Sequence, residues 1–386
     1  MTADAAPHPP VLIAEVRNRI GHLVLNRPQA LNALDLELLT ALDTQLRAWQ
    51  ADDGVRAVVL RGAGGKAFCA GGDIRALYHA VRARQASPTE PDPMAFFHIE
   101  YPLDQLLHQY GKPYLAWLDG IVMGGGMGLA QGASLRVVTE RSRLAMPETA
   151  IGYFPDVGGS FFLSRMPGAL GEYLGLCGVP LLAADAVALG WADVALPSSL
   201  LDELLAALDT LAWPPQREGD PRQRQRDQAT LARLLGSLAE ATQQTGQSWP
   251  EAVVLSHRPW INAHFSQESV PAIQASLQAA AADHSDEAQA AWARDTLALF
   301  ERHSPLAMAV TLEQIRRGRN LTLEQCFALE THLDAQWLER GDLLEGVRAL
   351  LIDKDKTPHW QPDSHSAVSA GQVQSFFPHP ETASKE

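Results

Sequence analysis

RAVVLRGAGGKAFCAGGDIRAL (residues 56–77) and PYLAWLDGIVMGGGMGLA (residues 113–130) share one pattern: a short apolar run passes straight into glycines, and a helix follows. The first run is β-branched and too short for a buried helix, so it reads as a buried strand, and the second reads the same way. Upstream, VLIAEV (11–16) and HLVLN (22–26) flank a turn at residues 18–21 and read as a two-stranded hairpin. Helices are predicted over residues 36–50 and about 94–110, and SLRVVTE (134–140) adds a further strand. Strand, helix and strand recur with parallel-type crossovers, which makes the fold class α/β, a layered sheet-and-helix architecture.

That alternation stops near residue 200. Residues 1–10 read as a disordered lead-in, 11–200 as the α/β core, 201–360 as a helical carboxyl-terminal region and 361–386 as a loose tail without apolar period. Within the core, residues 84–93, with prolines at 88, 91 and 93, read as a surface excursion. Residues 213–226 suit a linker or exposed loop, and leucine and alanine recur at helical spacing over 228–351.

The 386 residues carry 31 basic and 45 acidic side chains, a formal charge of −14. Such a chain repels a phosphate backbone and an anionic lipid surface, leaving room only for a small anionic ligand held by a local patch. Its length is enough to bury a core without disulfide or metal staples. Cys69, Cys177 and Cys326 are too far apart for a Cys-x-x-Cys site and are expected to be buried free thiols in a reducing compartment. The opening MTADAAPHPP has acid and proline where a secretion signal needs basic then apolar residues, so a cytoplasmic location is expected. The longest uncharged run, residues 120–135, is too short and too glycine-rich to predict a membrane span.

Metal and nucleophile signatures are missing. No His-Glu-x-x-His occurs among the 13 histidines. Ser160 lacks the second glycine of a nucleophile elbow. GAGGKA (62–67) fits a dinucleotide fingerprint only formally, because FCAGGD interrupts the helix that motif must open. The two glycine loops remain. At a strand end, glycines let backbone N–H groups approach a ligand, and two such loops could aim two donors at one oxygen as an oxyanion hole, each worth roughly 3 kcal/mol. Either loop alone reads more readily as a tight turn or a close-packing site; their occurrence as a pair weakens that reading. LAMPETAIGYFPDVGG (144–159) then places Glu148 and Asp156 eight residues apart in a stretch broken by Pro147, Gly152 and Pro155. Folded back on itself, it could turn both carboxyls into one cavity, where repulsion and desolvation keep one protonated.

NRPQALNAL (26–34), KAFCAGGDI (66–74), GGGMG (124–128) and PETAIGYFPDVGG (147–159), in that order, resemble the crotonase, or enoyl-CoA hydratase/isomerase, superfamily. The resemblance extends to the 3-hydroxyisobutyryl-CoA hydrolase branch, whose carboxyl-terminal segment is similar to GDLLEGVRALLIDKDKTPHW (341–360). It implies a crotonase-like spiral of ββα turns with a helical carboxyl-terminal region, and a coenzyme A thioester held across the glycine loops. The oxyanion-hole donors map to the N–H groups of Gly72 and Gly125, flanked by Gly71, Asp73 and Gly124 as substrate-binding residues. Hydratases of the superfamily carry a second glutamate where this chain has Gly128, and glycine where it has Asp156. Glu148 and Asp156 are therefore the expected catalytic pair, and Glu100 in FFHIEYPLD the expected substrate contact. Lys66 and Arg75 are the nearest cations for the coenzyme's phosphates.

The expected activity is hydrolysis of 3-hydroxyisobutyryl-CoA, a step of valine breakdown, with no metal or redox cofactor and coenzyme A entering as part of the substrate. The alternatives are an enoyl-CoA hydratase or isomerase, and a non-catalytic acyl-CoA-binding member. A homo-oligomer stays open, because the longer helical region could instead cover its own active site. Neither nucleic acid nor membrane is an expected partner.

Overall fold

Asn18 and Arg19 both take positive φ, 44° and 65°. This two-residue turn has the twist that closes a tight hairpin between β1 (Leu12–Arg17) and β2 (Ile20–Leu25). The computed structural model describes residues 9–216, 220–244 and 249–378. In it the chain continues through α1 (Leu36–Ala51), β3 (Ala57–Gly62), β4 (Ala67–Cys69), α2 (Ile74–Ala86), α3 (Phe97–His108), β5 (Tyr114–Leu118), β6 (Ile121–Met123), α4 (Gly125–Gln131), β7 (Leu135–Val138), β8 (Arg143–Ala145) and β9 (Val194–Ala195). Beyond β9 the described residues are mainly helical.

Two sheets result. The larger has the order β1-β2-β3-β5-β7-β9, and the smaller has the order β4-β6-β8. Every pairing except β1 with β2 is parallel, with Val58 opposite Tyr114, Leu115 opposite Leu135, and Ile121 opposite Arg143. The path is thus a spiral. Each turn lays one strand in the large sheet (β3, β5, β7), one in the small sheet (β4, β6, β8), and then enters a helix or helical turn. Equivalent positions of successive turns lie side by side, so the segments after β4, β6 and β8 converge.

The elements form for local reasons. Asp35 caps α1 by accepting from Leu38 N–H, and Leu38, Leu39, Leu42, Leu46 and Trp49 share its buried face. In the large sheet Val58 and Leu60 face the main core, while Ala57, Val59, Leu115, Trp117 and Val137 face the other way. Leu204, Leu208, Leu231 and Leu235, from the Leu201–Asp209 and Gln223–Gln244 helices, cover that second face. The change of pattern near residue 200 is therefore no break in packing.

Two expectations differ from the observed structure. The described residues of 213–226 are exposed or half-buried, as an exposed loop requires, but they are no free linker: Trp213 donates its indole N–H to Asn18 O at 2.9 Å, and the buried Arg56 guanidinium stacks on that indole, bonds Pro214 O at 2.8 Å and pairs with the buried Asp227 just beyond. Buried charge needs a partner, and Asp227 with Pro214 O supplies it. Residues 361–378 are not loose either: Phe376 and Phe377 are buried, with Phe376 4.9 Å from the Trp337 ring and Arg317 over Phe377. Two phenylalanines are too few to set an apolar period, yet enough to pin a chain end. Residues 379–386 and most of the lead-in lie outside the described residues. The excursion at 84–93 is largely exposed, as expected, and the three cysteines are buried and free. Among the described residues no helix is long and apolar enough to cross a membrane.

Candidate active site

The convergent segments after β4, β6 and β8 enclose a cavity of about 350 Å³. Its wall includes Gly71, Gly72, Gly124, Gly125, Glu148, Asp156 and Glu100, and its apolar surface comes from Ile74, Leu77, Phe96, Phe97, Ile151 and Leu351. Four larger clefts, about 830, 710, 370 and 370 Å³, contain neither glycine loop. Leu351 belongs to the helical carboxyl-terminal region, so that region contributes to the cavity wall.

Gly71 at φ +100° and Gly124 at φ +49° take backbone shapes that a side chain resists. The loops also touch, since a Cβ on Gly71 would lie 3.5 Å from Gly125 N. Gly125 opens α4, where N–H groups have no helical acceptor. Among the described residues neither the Gly72 nor the Gly125 N–H donates to a protein acceptor.

Glu148 follows β8 and Pro147 as the first residue of a short 3-10 turn (Glu148–Ile151). It is 6% exposed, its Oε2 has no hydrogen-bond partner, and its Oε1 lies 3.2 Å from where a Gly124 Cβ would stand. Burial, and then the charge of Asp156, hold its carboxyl well above the usual range. Asp156 is equally buried and accepts the Tyr101 hydroxyl at 3.1 Å; burial pushes its pKa up to about 7 against the pull of that bond. Glu100 lies with Oε1 against the bare Cα of Gly125, unpartnered and 2% exposed. Burial, then Asp156, Asp104 and Asp334, raise its pKa. Carboxyls in such surroundings hold protons at neutral pH and can exchange them with a bound reactant.

Glu148, Asp156, Glu100 and both glycine loops are thus brought together. Asp73 is not: its carboxylate caps α2 through Ala76 N–H and pairs with Arg27 at 3.1 Å. Lys66 and Arg75 are exposed on the surface outside the cavity lining. Several residues of the site were not singled out from sequence. Asp104, one turn beyond Glu100 on α3, is fully buried with neither carboxyl oxygen partnered, and packs against bare Gly128. An acid on the apolar face of FHIEYPLDQLL was the available signal. Gln314, Glu330, Asp334 and Trp337 bind the 152–160 segment from a distance that no local pattern reveals: Asp334 accepts from Tyr153 within it, and Trp337 donates to Gly152 O at 2.6 Å. Among the described residues no group of three or more His, Cys, Asp or Glu side chains is arranged to hold a metal.

A ββα spiral whose glycine loops and buried carboxyls meet in one small cavity defines a coenzyme A thioester enzyme of the crotonase type. The chain belongs to the enoyl-CoA hydratase/isomerase family, whose model matches residues 20–377. It is 36% identical over 366 residues to the rat (Rattus norvegicus) mitochondrial 3-hydroxyisobutyryl-CoA hydrolase, covering 95% of this chain and 88% of that protein. Among solved structures it is similar to a carnitinyl-CoA dehydratase from Mycobacterium thermoresistibile (36% identity, TM-score 0.80, 96% of each chain). It is also similar to an enoyl-CoA hydratase from Rhodobacter sphaeroides (32% identity, TM-score 0.79, 96% of this chain and 98% of that one).

Proposed function

We propose that the protein hydrolyses the thioester of a short branched 3-hydroxyacyl-CoA, with 3-hydroxyisobutyryl-CoA as the first substrate to test. The observation that carries this reading is the meeting of Glu148 and Asp156 in one buried cavity with two unused N–H donors. In the mechanism, Gly72 and Gly125 N–H groups donate to the thioester carbonyl oxygen and stabilise the charge that grows there. Desolvation and the Asp156 charge keep Glu148 protonated at rest, so the reactive form arises when that proton passes to Asp156, leaving Glu148 ionised and Asp156 protonated. Ionised Glu148 either attacks the carbonyl carbon, giving a mixed anhydride that water then opens, or takes a proton from the attacking water. As the carbon–sulfur bond breaks, protonated Asp156 gives its proton to the leaving thiolate. Glu100, beside Gly125, accepts the substrate's 3-hydroxyl, and a cavity of about 350 Å³ suits a short acyl group. Lys66 and Arg75, on the surface beside the first loop, meet the coenzyme's phosphates.

Thiol release across a panel of acyl-CoAs tests this. Glu148→Gln should lower the rate on 3-hydroxyisobutyryl-CoA by about 10²–10⁴-fold, and a wild-type rate no better than on acetyl-CoA would refute the substrate. Oxygen-18 from labelled water in the Glu148 carboxylate after a single turnover supports the anhydride route; its absence counts against that route. A second reading, water addition to an enoyl-CoA, is favoured by the presence of two glutamates, Glu100 and Glu148, in the cavity. Loss of enoyl absorbance from crotonyl-CoA without thiol release would select it.

A further inference from the structure

The turn that carries Asp156 has an unsuitable residue for its shape. Gly159 N–H donates to Asp156 O at 2.7 Å, with Val157 at φ +50° and Gly158 at φ +87° between them. Two successive positive φ values are the type I′ form, which glycine, asparagine and aspartate populate and which a β-branched residue resists. Val157 is nonetheless fully buried in the main core. Such a residue keeps its conformation only where the surroundings over-determine it.

The surroundings are supplied from far along the chain. Glu330, fully buried on the Leu323–Arg340 helix, accepts Gly158 N–H on Oε2 at 2.7 Å and Ser160 N–H on Oε1 at 2.9 Å. The Ser160 hydroxyl donates to Oε1 as well. One carboxyl group therefore grips the turn on its far side at two backbone positions, with both oxygens as acceptors. On the near side Gln314 donates from Nε2 to Pro155 O at 2.6 Å. Asp156 sits between these holds, with its own carboxyl on the Tyr101 hydroxyl.

We propose that Glu330 is a positioning residue: it holds the strained Asp156–Val157–Gly158 turn in its left-handed form and thereby keeps the Asp156 carboxyl in the cavity. The role rests on the thioesterase reading. Glu330 does not line the cavity, so it acts on turnover through Asp156 and leaves substrate affinity alone. A carboxyl group presents an oxygen at both positions; an amide of the same size would turn an NH₂ group toward one of the backbone donors.

The test combines thiol release from 3-hydroxyisobutyryl-CoA with amide hydrogen exchange at residues 158 and 160, for wild type, Glu330→Gln, Val157→Gly, the double variant and Ser160→Ala. Glu330→Gln should lower kcat at least tenfold, keep KM within threefold, and speed exchange at both amides. Glycine at 157 adopts the turn without strain, so in the Val157→Gly background the same Glu330→Gln change should cost less than threefold. Ser160→Ala, which removes one of the three bonds, should lower kcat two- to fivefold at unchanged KM and serves if Glu330→Gln does not fold. A Glu330→Gln kcat within twofold of wild type, an equal loss in both backgrounds, or, for an unfolded Glu330→Gln, an unaltered Ser160→Ala overturns the proposal. If the wild type releases no thiol, the thioesterase reading falls by itself. Exchange then decides the hold on the turn: faster exchange at 158 and 160 in Glu330→Gln supports it, and unchanged exchange overturns it.

Discussion

Asp156→Asn is expected to abolish activity and at the same time to stabilise the fold. Asp156 is 6% exposed, and burial carries its pKa from an ordinary 3.8 to about 7. A carboxyl with a raised folded-state pKa binds its proton more tightly folded than unfolded. Its burial therefore costs nothing below pH 3.8, costs progressively more as pH rises toward 7, and is constant above that. Roughly three units at about 1.4 kcal/mol each give a penalty of about 4 kcal/mol at pH 8. Asparagine has no proton to lose, and a weakened bond to Tyr101 would return only about 1 kcal/mol of that gain. The ionised Asp156 also raises Glu100, Asp104, Glu148 and Asp334, so the variant relieves them too. Urea unfolding followed by tryptophan fluorescence at pH 4, 6 and 8 should show variant and wild type nearly equal at pH 4 and separating by about 3 kcal/mol at pH 8. A gap that stays constant or closes as pH rises refutes the burial argument. A variant that still releases thiol at the wild-type rate refutes the chemical role.

Packing sets three further outcomes. A Cβ on Gly128 would stand 2.5 and 2.9 Å from the Asp104 carboxyl oxygens, so Gly128→Ala should lower unfolding free energy by about 1–3 kcal/mol, and adding Asp104→Ser should recover most of it. Phe376→Ala should cost about 3–5 kcal/mol and change the emission of Trp337, whose ring it meets at 4.9 Å; an unchanged melting curve would mean that the tail does not pack. Arg56→Met leaves Asp227 buried without its partner and should cost about 3–5 kcal/mol, while Arg56→Met with Asp227→Leu should melt near the wild type.

The large sheet was legible in the sequence because β2, β3, β5 and β7 are apolar runs long enough to show a strand pattern. β4, β6 and β8 were not, since AFC, IVM and RLA are three residues each and merge into flanking loops. The glycine loops and the Glu148–Asp156 stretch announced themselves because glycine at a strand end and a carboxyl between prolines have few other uses. Glu100 was reached through the family resemblance, and its turn-mate Asp104 was passed over, because an acid on a helix reads as surface until the helix is known to be buried all round. Glu330, Asp334 and Gln314 carried no signal. Their partners are backbone groups and side chains more than 150 residues away, and pairing at that separation is set by tertiary packing alone.

The dependence of the Asp156 turn on the Leu323–Arg340 helix has a consequence for biosynthesis. Ser160 and Glu330 are separated by 170 residues; at roughly 5–20 residues per second, about 10–30 s pass between their syntheses. During that interval the spiral core can form its sheets, but one wall of the cavity is missing and the apolar faces destined for the later helices are open. Emergence of the final sixth of the chain, from residue 323 onward, is thus the step that completes the site. A nascent or truncated protein ending before that helix is expected to be inactive and in need of a chaperone, even with every cavity carboxyl already in place in its sequence.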